Sequence, residues 1–422
     1  MQVPEQQYDA VIVGGGPAGA TTGALLAKRG HRVLILERET FPRYHIGESL
    51  ITGMMAVFEE LDLLERIEAL GFPRKNGLSI VWGAENDLWN VSFSQIEGPY
   101  SYSYHVRRAE FDKLLLDRAR ELGATVLENT PVTGLLKDGD RVTGVRCLPS
   151  HGPSTEVRAP LVIDASGQAR VLTRKLTSVE WQDDLRNVAY WTYFSPAGDL
   201  PEGQEGNILI ERVPDGWFWA IPVEDKPNKL SVGYVTTTQH LSESGTGLEE
   251  LYWQNVKSTV QLQKLLEGSE QTGEFRTTRD WSYRVERFSG PGWLAAGDAG
   301  GFIDPLFSGG VCLAVLAADA VAAAADVAIR RPDLEDEAFE AYHRGINDMV
   351  GSFLDYVRYF YDPQRSREDY FQRAQSMADY HERYPHAQDA FVAVVSGTLA
   401  LSTYFGIPRL DGVDPRAAVA GA

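Results

Sequence analysis

The chain opens on continuous apolar runs separated by one helical pattern. Residues 8–13 form a short apolar run, residues 17 to about 29 show helical spacing, and residues 31–36 form a second apolar run that ends at Glu37. Such runs predict parallel strands buried on both faces and joined by a crossover helix. Residues 161–164 and 293–296 repeat the short apolar pattern. Elsewhere the period changes. Residues 78–106 and 188–235 alternate apolar with polar positions and are rich in Trp, Tyr and Phe, as in Leu230-Ser231-Val232-Gly233-Tyr234-Val235. Alternation predicts antiparallel strands with one buried face. Helical spacing marks 111–122 and 248–266 and dominates from Val311 onward, with Pro and Gly marking the tail beyond Ile407.

Between the first two apolar runs stand Gly14-Gly15-Gly16-Pro17-Ala18-Gly19. A G-x-G-x-x-G spacing after a strand and at the start of a helix is the context a dinucleotide-binding fingerprint requires. Gly14 permits the tight turn, Gly16 lets the backbone approach a pyrophosphate, and Gly19 allows helix and strand to pack closely. Ala18 lies in the first turn, where free amides and the helix dipole favour phosphate. Glu37 is placed to accept ribose hydroxyls, with Arg38 beside it.

The spacing alone does not separate FAD from NAD. Three later segments do: Tyr104-His105-Val106-Arg107-Arg108-Ala109-Glu110-Phe111-Asp112, Asp164-Ala165-Ser166-Gly167, and Gly297-Asp298-Ala299 leading into Pro305-Leu306-Phe307-Ser308-Gly309-Gly310. Asp298, at a strand end, is expected to bind the ribityl chain. The loop from Pro305 to Gly310 precedes an alanine-rich helix and presents free amides, which stabilise the negative edge of a reduced flavin and suit a halide at Ser308, Gly309 and Gly310.

Composition narrows the class further. A length of 422 residues implies two or three packed lobes, and 43% hydrophobic with 23% charged residues fits a compact enzyme. A net charge of -19 repels nucleic acid and anionic membranes, so neither is an expected partner. Cys147 and Cys312 make no disulfide framework, and the eight histidines show no metal spacing, so no metal is expected. The short polar start predicts no secretory signal and a cytoplasmic location. The apolar run 313–328, interrupted by Asp319 and Asp326, reads as a buried helix.

The order of fingerprint, Gly47-Glu48-Ser49-Leu50, Y-x-V-x-R-x-x-F-D, Asp-Ala-Ser-Gly and Gly-Asp-Ala resembles the FAD aromatic hydroxylases and their relatives. Trp217-x-Trp219-x-Ile221-Pro222 and Phe302-x-Asp304-Pro305-x-x-Ser308-x-Gly310 resemble the flavin-dependent halogenases within that group, over nearly the whole chain. Phe72-Pro73-Arg74-Lys75-Asn76-Gly77 followed by Trp82-Gly83 is similar to the members acting on phenols and pyrroles, some tethered to a carrier protein.

The resemblance implies an α/β fold. Residues 1–77, 104–180 and 285–345 would form an FAD-binding Rossmann-like domain, 78–103 and 181–284 a mixed or antiparallel substrate sheet, and 346–422 a helical C-terminal region. It also implies a chemistry in which FADH2 and oxygen form a C4a-hydroperoxide, chloride or bromide is oxidised to hypohalous acid, and Lys75 carries the oxidant to an electron-rich ring. Trp217 and Trp219 would wall that ring off from the flavin, while Arg43, Ser49 and Arg108 would face it. Glu48 and Ser49 line the oxidant's route or cap the helix that follows. A glutamate paired with the lysine, expected for tryptophan halogenases, has no motif here, which argues against tryptophan as substrate.

No second glycine fingerprint follows a strand, so a flavin reductase is the expected source of FADH2. Arginines between Arg358 and Arg373 form a candidate docking patch for an acidic carrier, and residues 361–399 are expected to line or lid the substrate pocket. The same flavin motifs also fit an NAD(P)H-dependent aromatic hydroxylase and, from another class, an isoprenoid or lipid reductase.

Overall fold

The computed structural model describes residues 7–150, 152–377, 384–398 and 405–408. Ala10–Val13 lies inside a six-stranded sheet, paired in parallel with Leu161–Asp164 on one side and Val33–Leu36 on the other. Thr125–Leu127 extends one edge and Trp293–Ala295 the other, both in parallel, and Ser289–Gly290 adds an antiparallel edge strand. Every residue of the three central strands is buried, which is why they carry no alternation. One face packs against helices Pro17–Lys28 and Gly309–Arg330; the other meets a small sheet of Val132–Asp138, Arg141–Cys147 and Thr155–Arg158.

The alternating segments build the second large sheet. Val179–Ser195 pairs with Arg276–Val285 on one side and Asn228–Thr237 on the other, followed by Gly216–Asp225, Ile208–Val213, Gly77–Val81 and Leu88–Ser92. One of these pairings makes the sheet mixed, as expected: Ile208–Val213 runs parallel to Gly77–Val81. No hairpin joins two segments so far apart in sequence, so nothing local dictates their direction. Alternation still sorts the faces. Trp191, Trp217, Trp219 and Ile221 point to the main core, while Phe194, Phe218, Ala220 and Tyr234 pack with helices Leu248–Val256 and Gln261–Leu266.

Helix Gly309–Arg330 is long and apolar enough to cross a membrane by composition, but it is mostly buried inside this protein. Its alanines let it lie close to Pro17–Lys28. The interrupting acids serve the far end, where Asp326 Oδ1 meets His31 Nε2 at 2.5 Å, and Arg330 Nη2 donates to the Arg29 carbonyl at 2.9 Å. After it come Glu335–Tyr361, Arg367–Met377 and Ala387–Val395. Phe360, Tyr370, Phe371 and Phe391 from this region pack with Trp82, Trp89 and Phe307 as an aromatic core. Its residues therefore fill a core more than they form a lid, and the tail from residue 409 lies outside the described residues.

Candidate active site

A cavity of about 600 Å³ runs between the two large sheets. At one end it reaches the fingerprint. Gly14 has φ 104, and a Cβ there would lie 2.4 Å from the Ala165 carbonyl oxygen; a Cβ on Gly19 would lie 2.0 Å from the Gly14 carbonyl oxygen. Only glycine meets both demands, the first conformational and the second steric. Gly14, Gly16 and Ala18 line the cavity, and Gly19 sits behind them as packing. The helix begins at Gly16 with Pro17 in its first turn and no side-chain cap, so its leading amides stay available for an anion.

Glu37 lines the cavity and also braces it. Its carboxylate accepts the Gly15 amide at 2.6 Å and the Glu39 amide at 2.8 Å. Arg38 stands at the exposed rim, beside Glu39. Arg43 and Arg108 meet at one buried acid: Asp112 takes Arg108 Nε at 2.7 Å and Nη2 at 2.9 Å, and Arg43 Nη1 at 3.0 Å. Arg108 Nη1 then donates to the carbonyls of Ile46 and Gly47 at 2.7 and 3.3 Å. This clamp fixes the Gly47-Glu48-Ser49 loop against the cavity. Sequence placed both arginines at the flavin but gave no hint of their shared partner.

Asp298 and the loop after it form the opposite wall. Burial pushes the Asp298 carboxyl up to about 6, while nearby Arg108 pulls it down. Asp304 accepts the Leu306 amide and so starts the short turn Pro305–Phe307. Ser308 follows with φ 59, a left-handed conformation rare for a residue with a side chain. It heads the helix Gly309–Arg330 without capping it through its side chain. Pro305, Ser308 and Gly310 line the cavity, whereas Gly309 is set back from it.

The remaining wall is aromatic. Trp217 and Trp219 lie two apart on one strand, hence on one face, with ring centroids 6.1 Å apart. Room for Trp219 comes from Gly233, where a Cβ would stand 2.1 Å from the indole Cζ2. Trp217 Nε1 donates to the Tyr361 hydroxyl at 2.7 Å, and that hydroxyl donates to Asp304 Oδ2 at 2.9 Å. The tryptophan wall is thereby tied to the loop that carries Ser308.

Lys75 lies just outside this lining. It belongs to the two-residue strand Arg74–Lys75, is fully buried, and donates to Ser49 Oγ at 2.8 Å. Ser49 itself lines the cavity, so its hydroxyl stands between the buried amine and that space. No carboxylate pairs with Lys75 among the described residues, and burial alone lowers its amine to about 7. His105 next to it is brought down to about 3 by burial and by the Lys75 charge, and its Nε2 faces the Gly206 carbonyl. In the arginine patch of the C-terminal region Arg358 binds Asp184 and Arg365 binds Asp362, while Arg373 lies over the Tyr359 ring.

The cavity suits FAD. Uncapped helix amides fit a pyrophosphate, Glu37 a ribose, Asp298 a polyol, and a second uncapped helix start the negative edge of a flavin ring. No group of side chains among the described residues is arranged to hold a metal.

Comparison with known proteins agrees with this geometry. An FAD binding domain model matches residues 7–344. The tryptophan 2-halogenase of Chondromyces crocatus is 35% identical, with 97% of this chain and 79% of that protein covered. The 1H-pyrrole-2-carbonyl-[peptidyl-carrier protein] chlorinase of Pseudomonas fluorescens is 29% identical over 85% of this chain and 84% of its own. Among solved structures, the myxobacterial chondrochloren halogenase CndH aligns with a TM-score of 0.82 at 30% identity, covering 96% of this chain and 99% of that one. With its flavin cradle, its tryptophan wall and these relatives, the chain belongs to the flavin-dependent halogenases.

Proposed function

We propose that this chain uses reduced FAD, oxygen and chloride or bromide to place a halogen on an electron-rich aromatic ring. One observation carries that reading: Lys75 is a fully buried amine with no carboxylate partner, held by the serine that separates it from the flavin cavity. Buried lysines with only a structural use are normally paired. An unpaired one keeps a free lone pair, the form that can bind an electrophilic halogen.

FAD, when bound and reduced, would supply two of the four electrons that oxygen takes up, the halide supplying the other two. The protein's own residues do the rest. Gly14, Gly16, Ala18 and Gly19 shape the pyrophosphate cradle, Glu37 and Arg38 its ribose end, and Asp298 holds the ribityl chain. Arg43 and Arg108 keep the Gly47-Glu48-Ser49 loop in place. Pro305, Ser308, Gly309 and Gly310 offer a helix start to the halide. Trp217 and Trp219 keep water and the substrate ring from the flavin, Ser49 marks the oxidant's passage, and Lys75 receives it. In this division residues 1–77, 104–180 and 285–345 serve the cofactor, 78–103 and 181–284 the substrate, and 346–422 back the aromatic core.

A phenol or pyrrole is the ring we favour. The names of two relatives, a pyrrole-carrier-protein chlorinase and a brominase, support a carrier-tethered substrate. Indole is the second reading, because a relative named tryptophan 2-halogenase is 35% identical. A separate flavin reductase supplies FADH2, and the enzyme works in the cytoplasm.

The test needs no substrate. FAD-loaded protein is reduced without oxygen and mixed with oxygenated buffer, with and without bromide or chloride. Halide should speed the return of oxidised flavin, and Lys75→Met should leave that step intact. If halide changes nothing, the halogenase chemistry loses its central step and a hydroxylase becomes the reading to pursue.

A further inference from the structure

One buried carboxyl on the cavity wall is not used above. Glu48 is 5% exposed and lines the cavity, yet its two oxygens are treated differently. Oε1 accepts the Tyr193 hydroxyl at 2.8 Å, whereas Oε2 is buried with no hydrogen-bond partner among the described residues. The Tyr193 hydroxyl lies 2.9 Å from that of Tyr44, which accepts Trp191 Nε1–H at 2.7 Å. Tyr44 is 43% exposed at the cavity mouth. A single file of hydrogen bonds therefore leads from solvent to Oε1 of a carboxyl whose other oxygen, Oε2, has no hydrogen-bond partner among the described residues.

The ends of that file fix its direction. Indole only donates, so Trp191 occupies one lone pair of Tyr44 and leaves the Tyr44 proton to point at Tyr193 or at solvent. Burial pushes Glu48 above the usual carboxylate range, against the pull of the Tyr193 hydroxyl, of the Ser231 hydroxyl, which lies nearby but outside hydrogen-bond geometry, and of the charges of Arg108 and Lys229. A protonated carboxyl carries one donor and keeps one acceptor, which matches an Oε1 that accepts and an Oε2 left to donate.

If the chain is a halogenase, as proposed above, its chemistry requires a proton. Reduced FAD, oxygen, a halide ion and one proton give oxidised FAD, hypohalous acid and water. FADH2 and halide each lose two electrons and oxygen gains four. The proton must enter a space walled by Trp191, Trp217 and Trp219.

We propose that Glu48 delivers this proton and that Tyr193 and Tyr44 reload it from solvent. The Oε2–H bond breaks, and its proton passes to the oxygen atom that leaves as water. Oε1 then takes the Tyr193 proton, Tyr193 takes that of Tyr44, and Tyr44 takes one from solvent, each electron pair staying on its oxygen; a half-turn of the carboxyl about its Cγ–Cδ bond brings the new O–H to the Oε2 position and completes the reset.

FAD-loaded Glu48→Gln, Glu48→Ala and Tyr193→Phe, reduced and mixed with oxygen and bromide, test the route. The bromide-dependent return of oxidised flavin should slow about a hundredfold in Glu48→Gln and less in Tyr193→Phe. Acetate should restore Glu48→Ala by bringing a small acid into the vacated space. Infrared spectra of the oxidised holoprotein give a readout independent of turnover: a protonated-carboxyl band at neutral pH, absent in Glu48→Gln and shifted in Tyr193→Phe. A wild-type rate in Glu48→Gln overturns the proposal, as does a slow Glu48→Ala that acetate does not rescue, or a wild-type spectrum without the band. If bromide fails to affect the wild-type protein, the halogenase reading itself has failed.

Discussion

Two buried cations stand on either side of the Gly47-Glu48-Ser49 loop, and the fold treats them in opposite ways. Arg108 is met by both oxygens of Asp112 and by two loop carbonyls, while Lys75 is met by one hydroxyl. A guanidinium does not shed its proton, so burying it demands a counter-charge. An amine has another way out, and burial brings Lys75 down to about 7. Pairing marks the place where the cavity must hold its shape. Its absence at Lys75 leaves the amine able to shed its proton, which the proposed capture of an electrophilic halogen there requires.

Removing the acid from the paired site should have the largest effect. Asp112→Ala strips the buried Arg108 of its carboxylate and leaves Arg43 with Glu39 alone, 3.9 Å away, and we expect a loss of about 3–5 kcal/mol in denaturant unfolding. A loss near zero would mean that the clamp is no more structural than the lysine.

Lys75→Met makes the opposite prediction. Halogen transfer to a phenol probe should fall about a hundredfold, with the bromide-driven flavin step within about twofold of wild type. Unfolding free energy at neutral pH should not fall, because an apolar chain of similar length replaces an unpaired buried amine. A marked loss of stability would put Lys75 in the same class as Arg108.

The pH dependence of stability sharpens the contrast. An unfolded lysine titrates near 10.4 and the folded one at about 7, so across that window the unfolded chain holds a proton that the native one lacks. Stability should therefore rise with pH from about 7 to about 10, by at most about 1.4 kcal/mol per unit from this group. Lys75→Met should remove that increment; unfolding curves across the window measure it. The smallest effect belongs to a neutral pair. Tyr361→Phe unties Trp217 from Asp304 and should cost about 1 kcal/mol in a thermal melt.

What the sequence disclosed was local. The Gly14–Gly19 cradle showed in its spacing between strand and helix, although the Ala165 carbonyl that bars a side chain at Gly14 is distant in sequence, and the strands beside it showed in unbroken apolar runs. Lys75, Trp217 and Trp219 stood out through short motifs, and alternation placed both tryptophans on one face. What stayed hidden was long-range. Asp112 gave no sign that it would bind Arg43, and the parallel match of Gly77–Val81 with Ile208–Val213 has no hairpin to announce it. Glu48 meets Tyr193 across 145 residues and Arg358 meets Asp184 across 174. Charge-pair and hydroxyl partners at such separations leave no period in the sequence, and so nothing in the candidate docking patch announced that Arg358 is held by Asp184.

Helix Gly309–Arg330 has a consequence for how this chain can change over generations. Its first residues follow Ser308, its body lies against Pro17–Lys28, and its far end is fastened through Asp326 and Arg330 to His31 and Arg29. One residue inserted in it would turn everything beyond by about 100° and shift it by about 1.5 Å, breaking either the fastening or the close packing. Substitution by small residues is tolerable there, whereas a change of length is not. Insertions and deletions must fall instead in the exposed turns, leaving this stretch a fixed ruler against which the rest of the chain is free to drift.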